Sequence, residues 1–229
     1  KKIFFMGSSN FAVPIFKSIN NNSVLISTVF TQPPKKSSRG QKVLKSAVQL
    51  YAENFKLDVK TPENIKNEEN FIKDSKIDLG IVVAYGQIIP KKILNSCKYG
   101  FINIHASLLP KYRGAAPIQR SLINLDKFTG ISIMKINSKL DSGPVCNQYK
   151  IPIGNNDNLK TLSEKLSQLG ANNIIRNIEL ICSENAKFKE QDHSIASYAN
   201  KIQKQEGKIN WNENAKNIIG KINGLFPNP

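Results

Sequence analysis

Two apolar runs constrain this chain more than anything else in it: IFFM (3–6) and LGIVVAY (79–85). A strand with one wet face alternates apolar and polar residues, whereas these two do not, so both of their faces must be covered. That is the pattern of a parallel sheet sandwiched between helices. The intervening segments agree. GSSN turns the chain into FAVPIFKSI (11–19), and VLISTVF (24–30) reads as a second strand followed by a polar loop and a helix near 43–54. LDV (57–59) reads as a short strand, EENFIKDS (68–75) as a helix and FINIH (101–105) as another strand. Strand and helix in alternation predict an α/β fold with a doubly wound, mostly parallel sheet. In such sheets ligands bind beyond the carboxyl ends of the strands.

The pattern changes after residue 125. TGISIMKIN (129–137) and VCNQYKIPI (145–153) flank the turn SKLDSGP and predict an antiparallel pair, with a long helix over 158–181. Residues 185–206 are polar and irregular and read as a linker. GKINW and ENAKNIIGKING then read as a strand and a helix opening a new unit that stops at LFPNP. Too short to enclose a core of its own, this unit is expected to be the truncated start of a C-terminal domain. The expected division is therefore a catalytic domain at 1–184, a linker at 185–206 and the start of a further domain at 207–229.

No apolar run approaches the roughly 20 residues of a spanning helix, so no membrane partner is expected. The opening KKIFFMGSSN has the charge of a signal peptide but too short an apolar stretch, and a strand with a glycine turn explains it better. Cys97, Cys146 and Cys182 are scattered, which argues against a disulfide framework and for a cytoplasmic setting. The formal charge of +16 favours a polyanionic partner. The excess is almost all lysine, however, and four arginines stand among 33 basic residues. Part of it is solvated surface.

FINIH holds one of the two histidines. Period-two alternation puts Phe101, Asn103 and His105 on one face and Ile102 and Ile104 on the other. An amide and an imidazole then project together at the strand's carboxyl end. The plain reading is a strand-end histidine satisfied by backbone. Three neighbours argue for more: Ser107-Leu108-Leu109-Pro110, a loop stiffened by its proline; Arg113 and Gly114, leading into a helix near Ala115; and Asp141 on the turn LDSGP (140–144). An imidazole, a carboxylate and an amide donor suffice for acyl transfer. A hydrolase triad of Ser107, His105 and Asp141 lacks the strained elbow that serine needs. A zinc site lacks ligands, and GSSN is not a dinucleotide-binding loop.

Over essentially the whole chain the sequence resembles the folate-dependent formyltransferases. The resemblance lies in GSSNFAVP, TQPPKKSSRGQK, VVAYGQIIP, NIHASLLPKYRGAAPIQRSL, TGISIMKINSKLDSGP and the late KINW segment. It implies a Rossmann-like formyltransferase fold with Asn103, His105 and Asp141 as catalytic residues. It also implies that Ser107, Leu108, Leu109 and Pro110 hold the folate with the VVAYGQIIP loop, where Val82, Tyr85, Ile88 and Ile89 would line the pterin pocket. The expected donor is 10-formyltetrahydrofolate and the expected acceptor the α-amine of initiator methionyl-tRNA, with no metal and a monomeric enzyme. Relatives with small acceptors (glycinamide ribonucleotide, amino-sugar nucleotides or water) and a non-catalytic tRNA-binding protein are the alternatives. The loop TQPPKKSSRGQK (31–42) discriminates. It carries Lys35, Lys36, Arg39 and Lys42 with no acidic residue, and an arginine fork suits phosphate and base recognition better than lysine does.

Overall fold

The structure, a computed structural model, describes residues 1–37 and 42–227. Strand β1 (Lys2–Gly7) is buried from Ile3 onward and leads into α1 (Ala12–Asn20). Ala12, Ile15, Phe16 and Ile19 of that helix recur at three- and four-residue spacing and face the core. Strand β2 (Leu25–Phe30) is followed by a small antiparallel hairpin of β3 (Lys35–Ser37) and β4 (Lys42–Leu44). Then come α2 (Ala47–Asn54), β5 (Val59–Lys60), a 3-10 turn at Ile65–Glu68, α3 (Glu69–Asp74), β6 (Leu79–Val83) and α4 (Lys91–Leu94). Strand β7 (Phe101–His105), α5 (Pro117–Ile123) and the pair β8 (Phe128–Lys135) and β9 (Val145–Pro152) complete the sheet. The long α6 (Leu159–Cys182) and, after two short 3-10 turns, α7 (Ala215–Leu225) close the described chain.

The seven-stranded sheet runs in the order β5-β2-β1-β6-β7-β8-β9. Strands β5, β2, β1, β6 and β7 are parallel, and β8 and β9 add an antiparallel edge. The chain leaves β1 for β2 and β5 on one side, then returns to β6 and β7 on the other, so the order reverses between β1 and β6. A crevice opens beyond the carboxyl ends at such a point. Each face has its own core. Ile3, Phe5, Ile81, Val83, Ile102 and Ile104 pack with Ile15, Phe16, Ile174 and Ile178 beneath α1 and α6. Phe4, Met6, Val82 and Phe101 pack on the opposite side with Phe30, Ile65, Tyr85 and Ile93.

The α/β class, the order of strands and helices and the antiparallel pair agree with the sequence. Four local expectations do not. The helix expected from 43 begins at Ala47, because residues 42–44 pair with 35–37 and Ser46 caps the helix by accepting from Gln49 N at 3.0 Å. The short strand at LDV slides to Val59–Lys60, where it meets Val29 and Phe30. The helix expected near Ala115 starts at Pro117, whose missing N–H suits the first turn. GKINW forms no strand, and among the described residues none pairs with it.

The segment expected as a linker is tied to the sheet. Lys189 exchanges both backbone hydrogen bonds with Val145, at 2.8 and 2.9 Å, and Arg113 N donates to Ser197 O at 2.8 Å while Ala199 N donates to Arg113 O at 2.7 Å. Residues 189–199 thus form a strap across the loop that follows β7. Helix α7 lies against α5, where Gly220 and Gly224 admit the backbone carbonyls of Leu122 and Gln119. No described helix is long and apolar enough to cross a membrane.

The start of α6 rests on one buried carboxylate. Asp157 accepts from Gly154 N (2.7 Å), Thr161 Oγ1 (2.9 Å) and Lys165 Nζ (2.8 Å). Burial alone would raise its pKa, but the bonds from Lys165, Gly154 and Thr161 outweigh that and hold it below the usual carboxylate range. A carboxylate depressed by folding stabilises above its unfolded pKa and loses that contribution as pH falls through the folded value. Asp157→Asn should therefore lower stability at neutral pH by about 1–3 kcal/mol. In urea titrations the gap from wild type should close below pH of about 4; a pH-independent gap would assign the loss to packing.

Candidate active site

Strand β7 carries the site because its two faces meet different environments. Ile102 and Ile104 enter the larger core, while Phe101, Asn103 and His105 share the other face. Phe101 lies over Gly80, where a Cβ would run into its ring, and the next positions along pair Val82 with Asn103. Across the antiparallel edge, Asn103 faces Met134 and His105 faces Ser132. The Asn103 side chain is half-buried and makes no hydrogen bond to any described residue. It is a donor held at a strand end with nothing to donate to.

His105 is 6% exposed and its two nitrogens have different surroundings. Nε2 lies 2.8 Å from the carbonyl of Tyr112, which can only accept, so Nε2 carries a proton. Nδ1 faces Oδ2 of Asp141 at 3.6 Å, within ion-pair range but beyond a hydrogen bond. Backbone satisfaction and a carboxylate neighbour, which the sequence offers as rival readings, are both present. The gap at Nδ1 leaves that nitrogen open to a third group.

Asp141 reaches this position by an unusual path. The turn after β8 folds back along the sheet, and Asp141 adopts a left-handed φ of 43°. Gly143 has to be a glycine, because a Cβ there would strike the carbonyl of Lys135. Gly114 N donates to Asp141 Oδ2 at 2.8 Å, so the stretch after β7 and the turn after β8 are joined by the carboxylate itself. Seven non-glycine residues among those described have positive φ. Lys56, Lys76, Leu125 and Glu184 sit just past helix ends, where that conformation is ordinary. The other three, Ala84, Tyr112 and Asp141, gather at the strand ends and turns around β7, and such outliers cluster at working sites.

The Ser107–Pro110 loop is clamped to the adjoining face of the sheet. Ser132 Oγ donates to Ser107 O and accepts from Leu109 N, and Gln148 Nε2 donates to Leu109 O. Ser107 and Leu109 are buried, and Leu108 and Pro110 are partly open. Val82 of β6 and Tyr85 and Ile89 of the loop after it sit in the smaller core, while Ile88 is 92% exposed and lines nothing within the described chain. The Tyr85 hydroxyl is buried without a partner among the described residues, and burial pushes its pKa up. A hydroxyl network holds this loop in place. Ser8 Oγ donates to Tyr85 O and accepts from Gln32 N, and Gln32 Nε2 donates to the same carbonyl.

Of the basic residues in the 31–42 loop, Lys35 is exposed at the start of β3, Lys36 pairs with Val43 and Lys42 with Ser37 through their backbones, and Arg39 lies outside the described residues. A cavity of about 740 Å³ lies elsewhere, at the amino end of β7 between Lys98, Lys135 and Phe188, and contains none of Asn103, His105 and Asp141. Cys97 lines it, and burial pushes that thiol up to about 12, so it is no ready nucleophile. Among the described residues no three His, Cys, Asp or Glu side chains gather to hold a metal ion.

Sequence reasoning missed Gln191, which donates to the carbonyls of Asp141 and Gly143 at 2.9 and 2.7 Å. It also missed the Tyr112 carbonyl and the Ser132–Gln148 clamp. Nothing local marks any of them.

A doubly wound α/β sheet with an amide, an imidazole and a carboxylate at one strand end has the equipment of a group-transfer enzyme working by hydrogen bonds and proton movement. Comparison with known proteins gives the family. Residues 1–178 match the formyl transferase family, and the chain belongs to it. A methionyl-tRNA formyltransferase of Pelagibacter ubique is 59% identical over the whole of this chain, which spans 75% of that protein, and one of Dictyoglomus thermophilum is 45% identical over 74% of its length. Among solved structures, an N-formyltransferase of Helicobacter canadensis in complex with folinic acid and dTDP-3-aminofucose has a TM-score of 0.77. It is 24% identical, and the match covers 98% of this chain and 80% of that one. At that identity the likeness shows the fold.

The two β7 side chains should separate cleanly in stability. Asn103→Ala removes no hydrogen bond and should shift urea unfolding by no more than about 0.5 kcal/mol. His105→Ala orphans the buried carbonyl of Tyr112 and should lower stability by about 1–3 kcal/mol. Equal losses would show that Asn103 is a structural residue.

Proposed function

We infer that this protein transfers a formyl group from 10-formyltetrahydrofolate to the α-amine of methionine on initiator tRNA, in the cytoplasm and as a monomer. The observation that carries the reading is the 59% identity, over the whole chain, to a methionyl-tRNA formyltransferase. The Asn103–His105–Asp141 arrangement supports it from the chemistry. In the same reading residues 1–184 are the catalytic domain, 185–206 connect it, and 207–229 open a further domain.

The residues present fit a folate. Val82, Tyr85 and Ile89 offer an apolar wall with one orphaned hydroxyl, which suits a flat ring with polar edges. Ser107, Leu108, Leu109 and Pro110 form a fixed ledge beside His105, and exposed Ile88 is free to close on a ligand. The donor supplies the formyl carbon on nitrogen. Attack by the neutral amine forms the new C–N bond, the old one breaks, and the amine's proton ends on the folate nitrogen.

The chain's part is to stabilise charge and move that proton. Asn103 Nδ2 is unengaged and shares with His105 one face of β7 near its carboxyl end, so it can donate to the oxygen of the formyl group as negative charge builds there. His105 has one nitrogen committed to Tyr112, which fixes the ring and assigns the chemistry to Nδ1. With a proton on Nδ1 the imidazolium donates to the same oxygen, and the Asp141 carboxylate at 3.6 Å balances its charge. Asp141 Oδ2, anchored by Gly114 N, is also placed to take the amine's proton through water.

The acceptor is argued from Lys35, Lys36, Arg39 and Lys42. Four basic residues with no carboxylate among them suit a phosphate backbone, and a small acceptor has no use for them.

Formyl transfer from 10-formyltetrahydrofolate should be measured on charged initiator tRNA with glycinamide ribonucleotide as competitor. Only the tRNA should be formylated; preferential formylation of the ribonucleotide would refute the acceptor assignment. Asn103→Ala, His105→Ala and Asp141→Asn should each slow single-turnover transfer by roughly 10²–10³. Arg39→Ala should raise KM for tRNA while leaving KM for folate unchanged, and equal rises in both would mean a structural role.

A further inference from the structure

We infer that Gln191 is a positioning residue for formyl transfer, holding from outside the catalytic sheet the turn that presents Asp141 to His105. The inference rests on the function proposed above. Gln191 is 8% exposed, and every polar atom of its side chain is used. Nε2 donates to Asp141 O (2.9 Å) and to Gly143 O (2.7 Å), two carbonyls of one turn. Oε1 accepts from Nε (3.0 Å) and Nη2 (2.7 Å) of Arg113. A guanidinium has only donors, so the amide cannot be reversed.

Arg113 makes the arrangement more telling. It is 3% exposed, and no carboxylate lies within ion-pair distance of it among the described residues. Its remaining contact is Nη2 to Nδ1 of His193 at 2.8 Å, where the imidazole nitrogen must accept. A buried cation held only by neutral acceptors is a poor device for stability alone. Its effect here is to orient one amide. Arg113 also precedes Gly114, whose N–H holds the Asp141 carboxylate, so the dipeptide fixes Asp141 at both ends: the carboxylate directly and the backbone carbonyl through Gln191.

Asp141 needs that support. It is a non-glycine residue at positive φ, a conformation that persists only where its surroundings over-determine it. Its Oδ2 stands 3.6 Å from His105 Nδ1, so a small drift of the turn takes it out of ion-pair range. Gln191 lies beyond residues 1–178, which match the family. The strap therefore adds to the shared domain a part that completes the site.

A double-mutant cycle with Asp141 decides the matter. Single-turnover transfer to charged initiator tRNA, KM for both substrates and thermal unfolding should be measured for Gln191→Ala, Gln191→Glu, Asp141→Asn and the Gln191→Ala/Asp141→Asn pair. Gln191→Ala should lower turnover by about 10–100-fold, the scale of a misplaced group, with both KM values unchanged. It should cause no further loss when Asp141 is already Asn. Gln191→Glu still accepts from Arg113, now as an ion pair, but cannot donate to the two carbonyls. Because it keeps the Arg113 contact, it should melt no earlier than Gln191→Ala and yet transfer as slowly. Full turnover in Gln191→Glu, or losses that multiply in the double variant, would overturn the inference while leaving Asp141 its role. Normal transfer by Asp141→Asn would instead refute the site reading, and the Gln191 assignment with it.

Discussion

Strand β7 faces the larger apolar core on one side and passes on the other from the smaller core at Phe101 to the polar pair Asn103 and His105, and its register is the constraint on which the rest depends. Ile102 and Ile104 lock it beneath α1 and α6. A slip of one residue would turn Asn103 and His105 into that core and the two isoleucines out of it. The core therefore enforces which way Asn103 and His105 face. Both flanking strands respect the same register: Val82 of β6 lies beside Asn103, and Ser132 of β8 beside His105.

The second constraint is how three loops from distant parts of the chain are held around that strand end. The Ser107–Pro110 loop is held by Ser132 and Gln148, the loop after β6 by Ser8 and Gln32, and the Asp141 turn by Gly114 and Gln191. Apart from Gly114, whose N–H binds the Asp141 carboxylate, each clamp is a neutral polar side chain bonded to backbone carbonyls or N–H groups. That leaves the Asn103 amide and His105 Nδ1 as the uncommitted polar atoms at the strand end. The strap at 189–199 belongs to this set of clamps, whatever else it connects.

Much of this was legible in the sequence because it is periodic or local. Buried strands read as unbroken apolar runs, and the period of two put Asn103 and His105 on one face without a structure. The α6 helix and the β8–β9 pair were legible for the same reason. What failed was tertiary. The pairing of 35–37 with 42–44 is one that lysine-rich sequence does not advertise, and it took the first residues of an expected helix. The Asp141 carboxylate could be nominated from its turn, but its meeting with His105 depends on a left-handed residue and on Gly143 passing close to Lys135. Gln191 sits in a polar stretch fifty residues from Asp141 with no motif around it. Ile88 is the opposite case: a position assigned to a pocket through resemblance is 92% exposed, and no packing within the described chain marks it.

The central claim is that transfer takes place against the polar face of β7 at its carboxyl end. A crystal structure with a non-transferable formylfolate analogue tests it most directly. The formyl oxygen should lie about 2.7–3.1 Å from Asn103 Nδ2, the spacing expected of an oxyanion donor, with His105 Nδ1 on the same atom and the ring system against Val82, Tyr85 and Ile89. An analogue seated in the cavity at the amino end of β7, or one whose formyl group points away from Asn103 and His105, would contradict the account.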